Sequence, residues 1–258
     1  FSSIKILISL ALNFSLLSRI LGCVANLSLQ CFNDARSVGF DNISVDLMFG
    51  IPSQTVDSLK YSIGEILKLG AEHISIYSLQ LEEGTPLYRM KEKFDLADDD
   101  TVADMYETLV SMMRESGYSH YEISNFAKDG KESRHNSKYW RLQEYLGLGL
   151  AAHSDFSGKR MENSNNMERY LDGSFVENEK DISLSEREFE FIMLGLRTSK
   201  GISKSEFFTR FCIDFDEKYG EKVKKLEKLE YFSQNGQNLA LNERGFEVSN
   251  MILAQILD

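Results

Sequence analysis

The sequence predicts an α/β fold built on a parallel sheet, followed by a smaller α+β domain. Three observations support this prediction. Short apolar segments typical of strands alternate with segments whose apolar residues recur at helical spacing. Glycines at positions 39, 70 and 117 close the helical segments. Near the end of the chain, Asn235-Gly236 separates two apolar segments, a pattern typical of a β-hairpin.

The elements of the first part are predicted in strand, helix, strand order. The apolar run at 4–12 is interpreted as a strand buried on both faces, as strands of parallel sheets usually are. Further strands are predicted at 43–49, 73–80 and 120–123. Helices are predicted at 27–38, at 56–69, and after Asp98 to Asp100, which can cap a helix that ends before Gly117.

The start of the chain permits a rival interpretation as a secretion signal. Lys5 precedes the apolar stretch, and Ile20-Leu-Gly-Cys23 faintly resembles a lipoprotein cleavage site, although Arg19 beside it does not fit. The run is also too short and interrupted for a membrane span, which needs about 20 apolar residues. A buried strand is therefore the preferred interpretation, with any membrane association peripheral at most.

The last part of the chain predicts three helices and a hairpin. The helices lie at 186–196, 203–211 and 215–229, the hairpin at 231–241, and an amphipathic segment at 246–256. This combination predicts a winged-helix-like domain at 166–258, after a first domain at 1–165. Winged helices often bind DNA, but acidic residues interrupt the lysines of the third helix, so nucleic acid is not expected as a partner.

Composition and charge limit the classes of partner. The net charge of −11 repels phosphate backbones and anionic membrane surfaces. The three cysteines, Cys23, Cys31 and Cys212, are scattered and odd in number, which favours a reducing, cytoplasmic compartment over a disulfide framework. Because no CxxC pair occurs, no cysteine metal site is expected.

Polar residues at or near the carboxyl ends of the predicted strands are candidates for ligand binding, since parallel α/β folds bind ligands there. They are Asp46, Gln80, Glu122 and Asn125. Asp46 has the strongest claim, because a carboxylate inside an apolar strand needs a partner. That partner could be a ligand or a loop amide, and structural roles remain open for the other three.

A second candidate site lies between residues 134 and 154. Arg134 to Trp140 and Tyr145 to Ser154 contain the only tryptophan and two of the four histidines, His135 and His153. These imidazoles could bind a metal, a proton or the edge of a porphyrin. Gly147 and Gly149 lack a Cβ, as required where a ligand or another backbone comes close. Each histidine could equally be an ordinary core or surface residue.

Several ordered motifs resemble one known family. They are Ser44 to Thr55 (SVDLMFGIPSQT), Glu83 to Tyr88 (EGTPLY), His120 to Phe126 (HYEISNF), the HNxxYW motif at His135 to Trp140, and Tyr145 to Gly149 (YLGLG). Together they resemble the radical-SAM heme chaperones of the HemW type and the related oxygen-independent coproporphyrinogen oxidases. The resemblance covers residues 40–258, and the HNxxYW motif favours the chaperone branch.

The resemblance implies a partial radical-SAM, TIM-like parallel barrel followed by the winged-helix-like domain. It also implies S-adenosylmethionine, a [4Fe–4S] cluster held by a CxxxCxxC motif, and heme. The chain contains no such motif, and the family's cluster cysteines are expected upstream of Phe1. By resemblance, Asp46 and Gln80 contact the S-adenosylmethionine, His153 lies near it as a secondary candidate, and His135 binds heme.

The resemblance weakens near the start of the chain. Asn13 takes the place of a cofactor-binding Gln, Cys23 the place of an Arg, and Ala25 the place of a His. Neutral replacements cannot supply the lost charge and donors. Three functions are therefore left open: a chaperone that passes heme to a recipient hemoprotein, a coproporphyrinogen III oxidase of porphyrin biosynthesis, and a non-catalytic remnant.

Overall fold

The computed structural model describes residues 4–7, for which it gives the backbone, and residues 27–233 and 238–258. The chain divides into two compact units, Phe1–Ser133 and Arg134–Asp258. The HNxxYW segment therefore lies in the second unit, while the domain boundary between 165 and 166 stays a prediction. Several sequence-based assignments lie outside the described residues: positions 8–12 of the predicted first strand, Asn13, the cleavage-site-like stretch at 20–23, Ala25, and the Asn235-Gly236 turn.

A five-stranded sheet forms the centre of the first unit. Its strands are β1 (Ile4–Leu7), β2 (Ile43–Phe49), β3 (His73–Ser78), β4 (Ser119–Glu122) and β5 (Asn125–Ala127), in the order β1-β2-β3-β5-β4. β1, β2 and β3 are parallel, as predicted. β5, which was not predicted, pairs antiparallel with both β3 and β4, so the sheet is mixed.

Helices cover one face of this sheet. They are α1 at 27–37, α2 (Val56–Leu69) and α4 (Asp99–Glu115); a short α3 (Pro86–Arg89) and a 3-10 turn (Lys91–Lys93) precede α4. The predicted helix boundaries are confirmed: Asp98 Oδ1 accepts a hydrogen bond from the Thr101 amide at 2.9 Å, and α2 ends at Gly70 with φ of 65°. Alternate residues of the strands, such as Val45 and Ile74, pack beneath these helices as the core.

The C-terminal part of the second unit has the predicted winged-helix arrangement. α7 (Leu184–Gly195), β9 (Ile202–Ser203), α8 (Lys204–Phe211) and α9 (Phe215–Glu227) precede β10 (Asn238–Leu239), which pairs antiparallel with β9. The two hairpin arms meet at a bridge between Phe232 and Leu241. Two helices, α10 (Glu243–Glu247) and α11 (Ser249–Leu257), end the chain.

The N-terminal part of the second unit contains elements that the sequence did not predict. α5 (Arg134–Trp140) holds the HNxxYW motif, and β6 (His153–Phe156), β7 (Lys159–Asn163) and β8 (Val176–Asp181) form an antiparallel sheet, with α6 (Met167–Leu171) between β7 and β8. Every residue of β8 is exposed, so this strand has no apolar alternation from which it could be recognised. Among the described helices of both units, none is long and apolar enough to cross a membrane.

Candidate functional site

The face of the first sheet opposite the helices is polar. Asp46 on β2 pairs in register with Ser75 on β3, Ser75 with Asn125 on β5, and Asn125 with Glu122 on β4. Directly opposed residues point to the same face, so the four side chains form one row across four strands. All are buried, with exposures of 5%, 1%, 4% and 0% respectively. Three residues that the sequence suggested separately, Asp46, Glu122 and Asn125, are thus brought into one polar row.

Within this row, Glu122 has a fully buried carboxyl group with a raised pKa. Its Oε2 accepts a hydrogen bond of 3.2 Å from the Ser124 amide. Its Oε1 and the Asn125 Oδ1 are both buried and have no hydrogen-bond partner among the described residues. Burial raises the pKa of the Glu122 carboxyl to about 7, only partly opposed by the Ser124 hydrogen bond. Near neutral pH this carboxyl therefore exchanges between its neutral and charged forms.

A second group of polar side chains lies on the same face, two residues nearer the start of β2 and β3. The sequence analysis did not identify it. Ser44 Oγ lies 2.8 Å from His73 Nδ1, and His73 Nε2 lies 2.8 Å from the Tyr121 hydroxyl. The Tyr121 oxygen in turn accepts a hydrogen bond of 3.2 Å from the Ser133 amide. The signal for this group was the alternation of polar and apolar residues in β2 and β3, which indicates one polar face.

Gln80 lies apart from the row. It is exposed and follows the end of β3 by two residues, at the edge where the parallel strands β2 and β3 both end. Its place agrees with the expectation of a polar residue after a strand, but the structure does not bring it into register with Asp46.

The HNxxYW motif forms the exposed helix α5. His135 is exposed, and its Nε2 lies 3.0 Å from the Tyr139 hydroxyl, one helical turn further on. The Tyr139 ring meets the rings of His135 and Tyr145 edge to face, with centroids 5.0 Å and 4.7 Å apart. Edge-to-face contacts of this kind hold aromatic rings in fixed orientations. Tyr139, Tyr145 and His153 all line one open cavity of about 380 Å³, so the structure brings the two candidate histidines to the same neighbourhood.

Gly147 is required by the approach of another backbone rather than by a ligand. A Cβ at this position would lie 2.1 Å from the carbonyl oxygen of His153. The Gly147 amide donates to Ser154 Oγ at 2.9 Å, and Asn163 Nδ2 donates to the Gly149 carbonyl at 2.9 Å. These contacts hold the glycine-bearing loop against β6 and so fix the position of His153, whose own side chain is exposed.

An ion-pair network forms one wall of the cavity. Asp155 is buried and receives hydrogen bonds from Arg187, including one of 2.6 Å, and from Arg160 at 3.0 Å. Arg160 also bonds Glu190 at 2.9 Å. Burial alone would raise the pKa of Asp155, but the two arginines outweigh it and hold that pKa below its usual value. The network is internally neutral, which fits a structural role in supporting β6.

Comparisons with known proteins agree with the sequence motifs. Residues 182–248 match the family model described as the HemN C-terminal domain. The chain is 33% identical over 227 residues to the heme chaperone HemW of Lactococcus lactis subsp. lactis (strain IL1403), covering 86% of this chain and 60% of that protein. It is 36% identical over 233 residues to the heme chaperone HemW of Bacillus subtilis (strain 168), covering 88% of this chain and 62% of that protein. The chain thus spans about three fifths of the length of these relatives.

A structural comparison supports the same assignment at the level of the fold. The solved structure of coproporphyrinogen III oxidase (HemN) from Escherichia coli, described as a radical SAM enzyme, matches 98% of this chain and 63% of its own, with a TM-score of 0.76 and 14% identity. At 14% identity the match shows only that the fold is shared. The C-terminal family match and the similarity to the HemW chaperones show that the chain belongs to the family of HemW- and HemN-like proteins, and the structural match shows the shared fold.

Proposed function

We propose that this chain takes part in heme trafficking as a heme chaperone, binding heme through His135 and passing it to a recipient hemoprotein. The observation that carries the proposal is the exposed imidazole of His135 on α5, held by the Tyr139 hydroxyl at 3.0 Å. An accessible neutral imidazole is a suitable axial ligand for heme iron. The names of the bacterial relatives support the same function.

The hydrogen bond to Tyr139 suits His135 for this role. If Nε2 carries the proton and donates it to the Tyr139 oxygen, Nδ1 keeps its lone pair and is available to iron. A partner on the second ring nitrogen also fixes the tautomer and the ring orientation of a ligating histidine. Tyr139 is therefore proposed to position His135 rather than to contact the iron.

The surroundings of α5 also suit a porphyrin. The cavity beside Tyr139 is open, and besides the charged wall of Asp155 and Arg160 its lining includes aromatic and aliphatic side chains. Leu146, Leu148 and Leu150, which follow Tyr145 in the glycine-bearing loop, are 61%, 90% and 38% exposed. Exposed apolar groups at this density often mark a binding surface, and a flat apolar macrocycle is a ligand that they could cover.

We further propose that S-adenosylmethionine binds on the polar face of the first unit, with Asp46 and Gln80 as contacts. Asp46 is buried in the polar row, while Gln80 lies exposed beyond the end of β3. Orphaned acceptors at Glu122 and Asn125 fit a ligand that carries hydrogen-bond donors. Asn13, which lies outside the described residues, and His153, which lies in the second unit, are suggested by resemblance alone, and neither is assigned to this face. When bound with a cluster, this cofactor would supply radical chemistry.

The residues of this chain do not fit the [4Fe–4S] cluster. The sequence has no CxxxCxxC motif, and the described residues contain no group of three metal-binding side chains. Cys31 and Cys212, the two cysteines that the structure describes, lie in different units. We therefore derive no step through a cluster, and heme binding by His135 needs none. No observation on the described residues favours the oxidase or the remnant over the chaperone, and the scattered cysteines support a cytoplasmic location.

Heme titration of the full chain tests this proposal, with the Soret band as readout. The wild-type chain is expected to bind heme, and His135→Ala is expected to lower the affinity at least tenfold. His153→Ala is the comparison variant, because it removes another exposed imidazole, one that lines the cavity beside Tyr139; it is expected to weaken heme binding less than His135→Ala does. Equal affinities for wild type and His135→Ala would overturn the proposal.

A further inference from the structure

The polar face of the first unit contains two buried acceptors that no described residue satisfies. They are Glu122 Oε1 and Asn125 Oδ1. The two residues are cross-strand partners in the β4–β5 hairpin and point to the same face. Leaving such a group without a partner costs about 1–3 kcal/mol, so a bound group that satisfies both would be favoured.

The chemistry of the two atoms selects the kind of group that they can bind. In its charged form the Glu122 carboxylate, like the Asn125 amide oxygen, is an acceptor, so a partner common to both must be a hydrogen-bond donor. No ion pair involves Glu122 in the described part of the chain, and the hydrogen bond from the Ser124 amide engages its other oxygen, Oε2. An N–H donor, neutral or cationic, is therefore better suited than an anion, which two buried acceptors would repel.

The register of the sheet connects this pair to Asp46. Asp46 and Glu122 are separated by three strand spacings, with Ser75 and Asn125 between them. At about 4.8 Å a spacing, the row extends over about 14 Å. A ligand of the size of a nucleoside with an amino-acid arm could lie along such a row and contact both ends.

We propose that Glu122 and Asn125 form a second anchor for S-adenosylmethionine, accepting hydrogen bonds from an N–H donor of the cofactor, either its ammonium or the exocyclic amine of its adenine. This inference rests on the proposed binding of that cofactor to the polar face. It assigns specificity to two residues beyond Asp46 and Gln80. Because both anchor atoms accept, a ligand without the donor loses this contact.

Isothermal titration calorimetry on the full chain tests the inference with S-adenosylmethionine, with 5′-deoxyadenosine and with methionine. Glu122→Gln keeps the volume of the side chain and replaces an acceptor with a donor, so it is expected to weaken S-adenosylmethionine binding about tenfold, the factor for one hydrogen bond. Asn125→Leu is expected to have a similar effect. Glu107→Gln, the same change at an exposed position of α4, is the control and should leave affinity unchanged.

The smaller ligands identify the donor. If the adenine amine is bound, Glu122→Gln also weakens 5′-deoxyadenosine; if the ammonium is bound, it weakens methionine instead, and either result supports the inference. If Glu122→Gln and Asn125→Leu bind S-adenosylmethionine as tightly as the wild type while Asp46→Asn binds it more weakly, the inference is overturned but the proposed cofactor site is not. Absence of S-adenosylmethionine binding by the wild-type chain would overturn both. Circular dichroism of each variant separates loss of an anchor from loss of the fold.

Discussion

Replacement of Glu122 by glutamine should stabilise the first unit at neutral and alkaline pH. Burial raises the pKa of this carboxyl from 4.5 to about 7 in the folded chain. A carboxyl whose pKa is higher in the folded state binds protons more tightly there, so stability falls as the pH rises from about 4.5 to about 7. Glutamine stays neutral throughout and avoids this loss.

The size of the effect follows from the same pKa. A difference of one pKa unit between the folded and unfolded states corresponds to about 1.4 kcal/mol. The rise from 4.5 to about 7 therefore corresponds to about 3 kcal/mol of lost stability above pH 7. Glu122→Gln should therefore match wild type near pH 4 and exceed it by up to about 3 kcal/mol at pH 8.

Hydrogen exchange of the β2 and β3 amides, followed by mass spectrometry between pH 5 and 8, is the appropriate assay. The chain's only tryptophan, Trp140, lies in the second unit, so an assay located in the strands of the first unit is needed. Protection of central strands reports the opening free energy of the surrounding unit, after correction for intrinsic exchange. If the opening free energies of the wild type and Glu122→Gln differ by a constant amount over this pH range, the assignment of a raised pKa to Glu122 is refuted.

Three further predictions concern the second unit, and Trp140 fluorescence during denaturant unfolding measures the first two. Gly147→Ala should lower the free energy of unfolding of the second unit by about 1–3 kcal/mol, because the new methyl group would lie 2.1 Å from the His153 carbonyl oxygen. Gly220→Ala in α9 is the control, because its methyl group would lie 3.6 Å from the Asp216 Cβ, an ordinary contact distance, and it should raise the free energy of unfolding by about 0.5–1 kcal/mol. Equal changes in the free energy of unfolding for the two variants would contradict the reasoning. Asp155→Asn should cost about 2 kcal/mol at pH 7, after allowance for the partial exposure of Arg160. Since the pKa of Asp155 is lowered, the wild-type advantage should shrink as the pH falls below 3.8, and an advantage independent of pH would argue against the ion pairs. Tyr139→Phe should lower stability by less than about 1 kcal/mol and weaken heme binding less than His135→Ala; a Soret titration in which it abolished binding would make Tyr139 a direct ligand.

The elements that were predictable from sequence are those with strong local signals. α2 has apolar residues at helical spacing and ends at Gly70, and α4 begins at the capping residue Asp98. Both signals act within a few residues, so they can be recognised without knowledge of the fold. The strands β2 and β3 were found for the same reason.

The missed elements depend on contacts between distant segments. β5 has only three residues, and its place between β3 and β4 follows from a hairpin with a bulge between His120 and Glu122. β8 is exposed at every position and mostly charged, so its conformation follows from pairing with β7 rather than from a pattern of its own.

The candidate site was predictable in its members but not in its arrangement. Asp46, Glu122 and Asn125 were identified as polar residues at or near the carboxyl ends of predicted strands, and Asp46 also because it lies inside an apolar strand. Their common row follows from the register of four strands, including the β4–β5 bulge, which the sequence does not specify. His73 was missed because its polar partners, Ser44 and Tyr121, are 29 and 48 residues away along the chain.

The most direct test of the proposed heme chaperone identifies the iron ligand itself. Electron spin echo envelope modulation of the ferric-heme complex detects the remote nitrogen of a coordinated imidazole. The wild-type chain and His153→Ala are expected to show this signal, and His135→Ala is expected to lack it. Persistence of the imidazole signal in His135→Ala would contradict the role of His135 as the heme ligand.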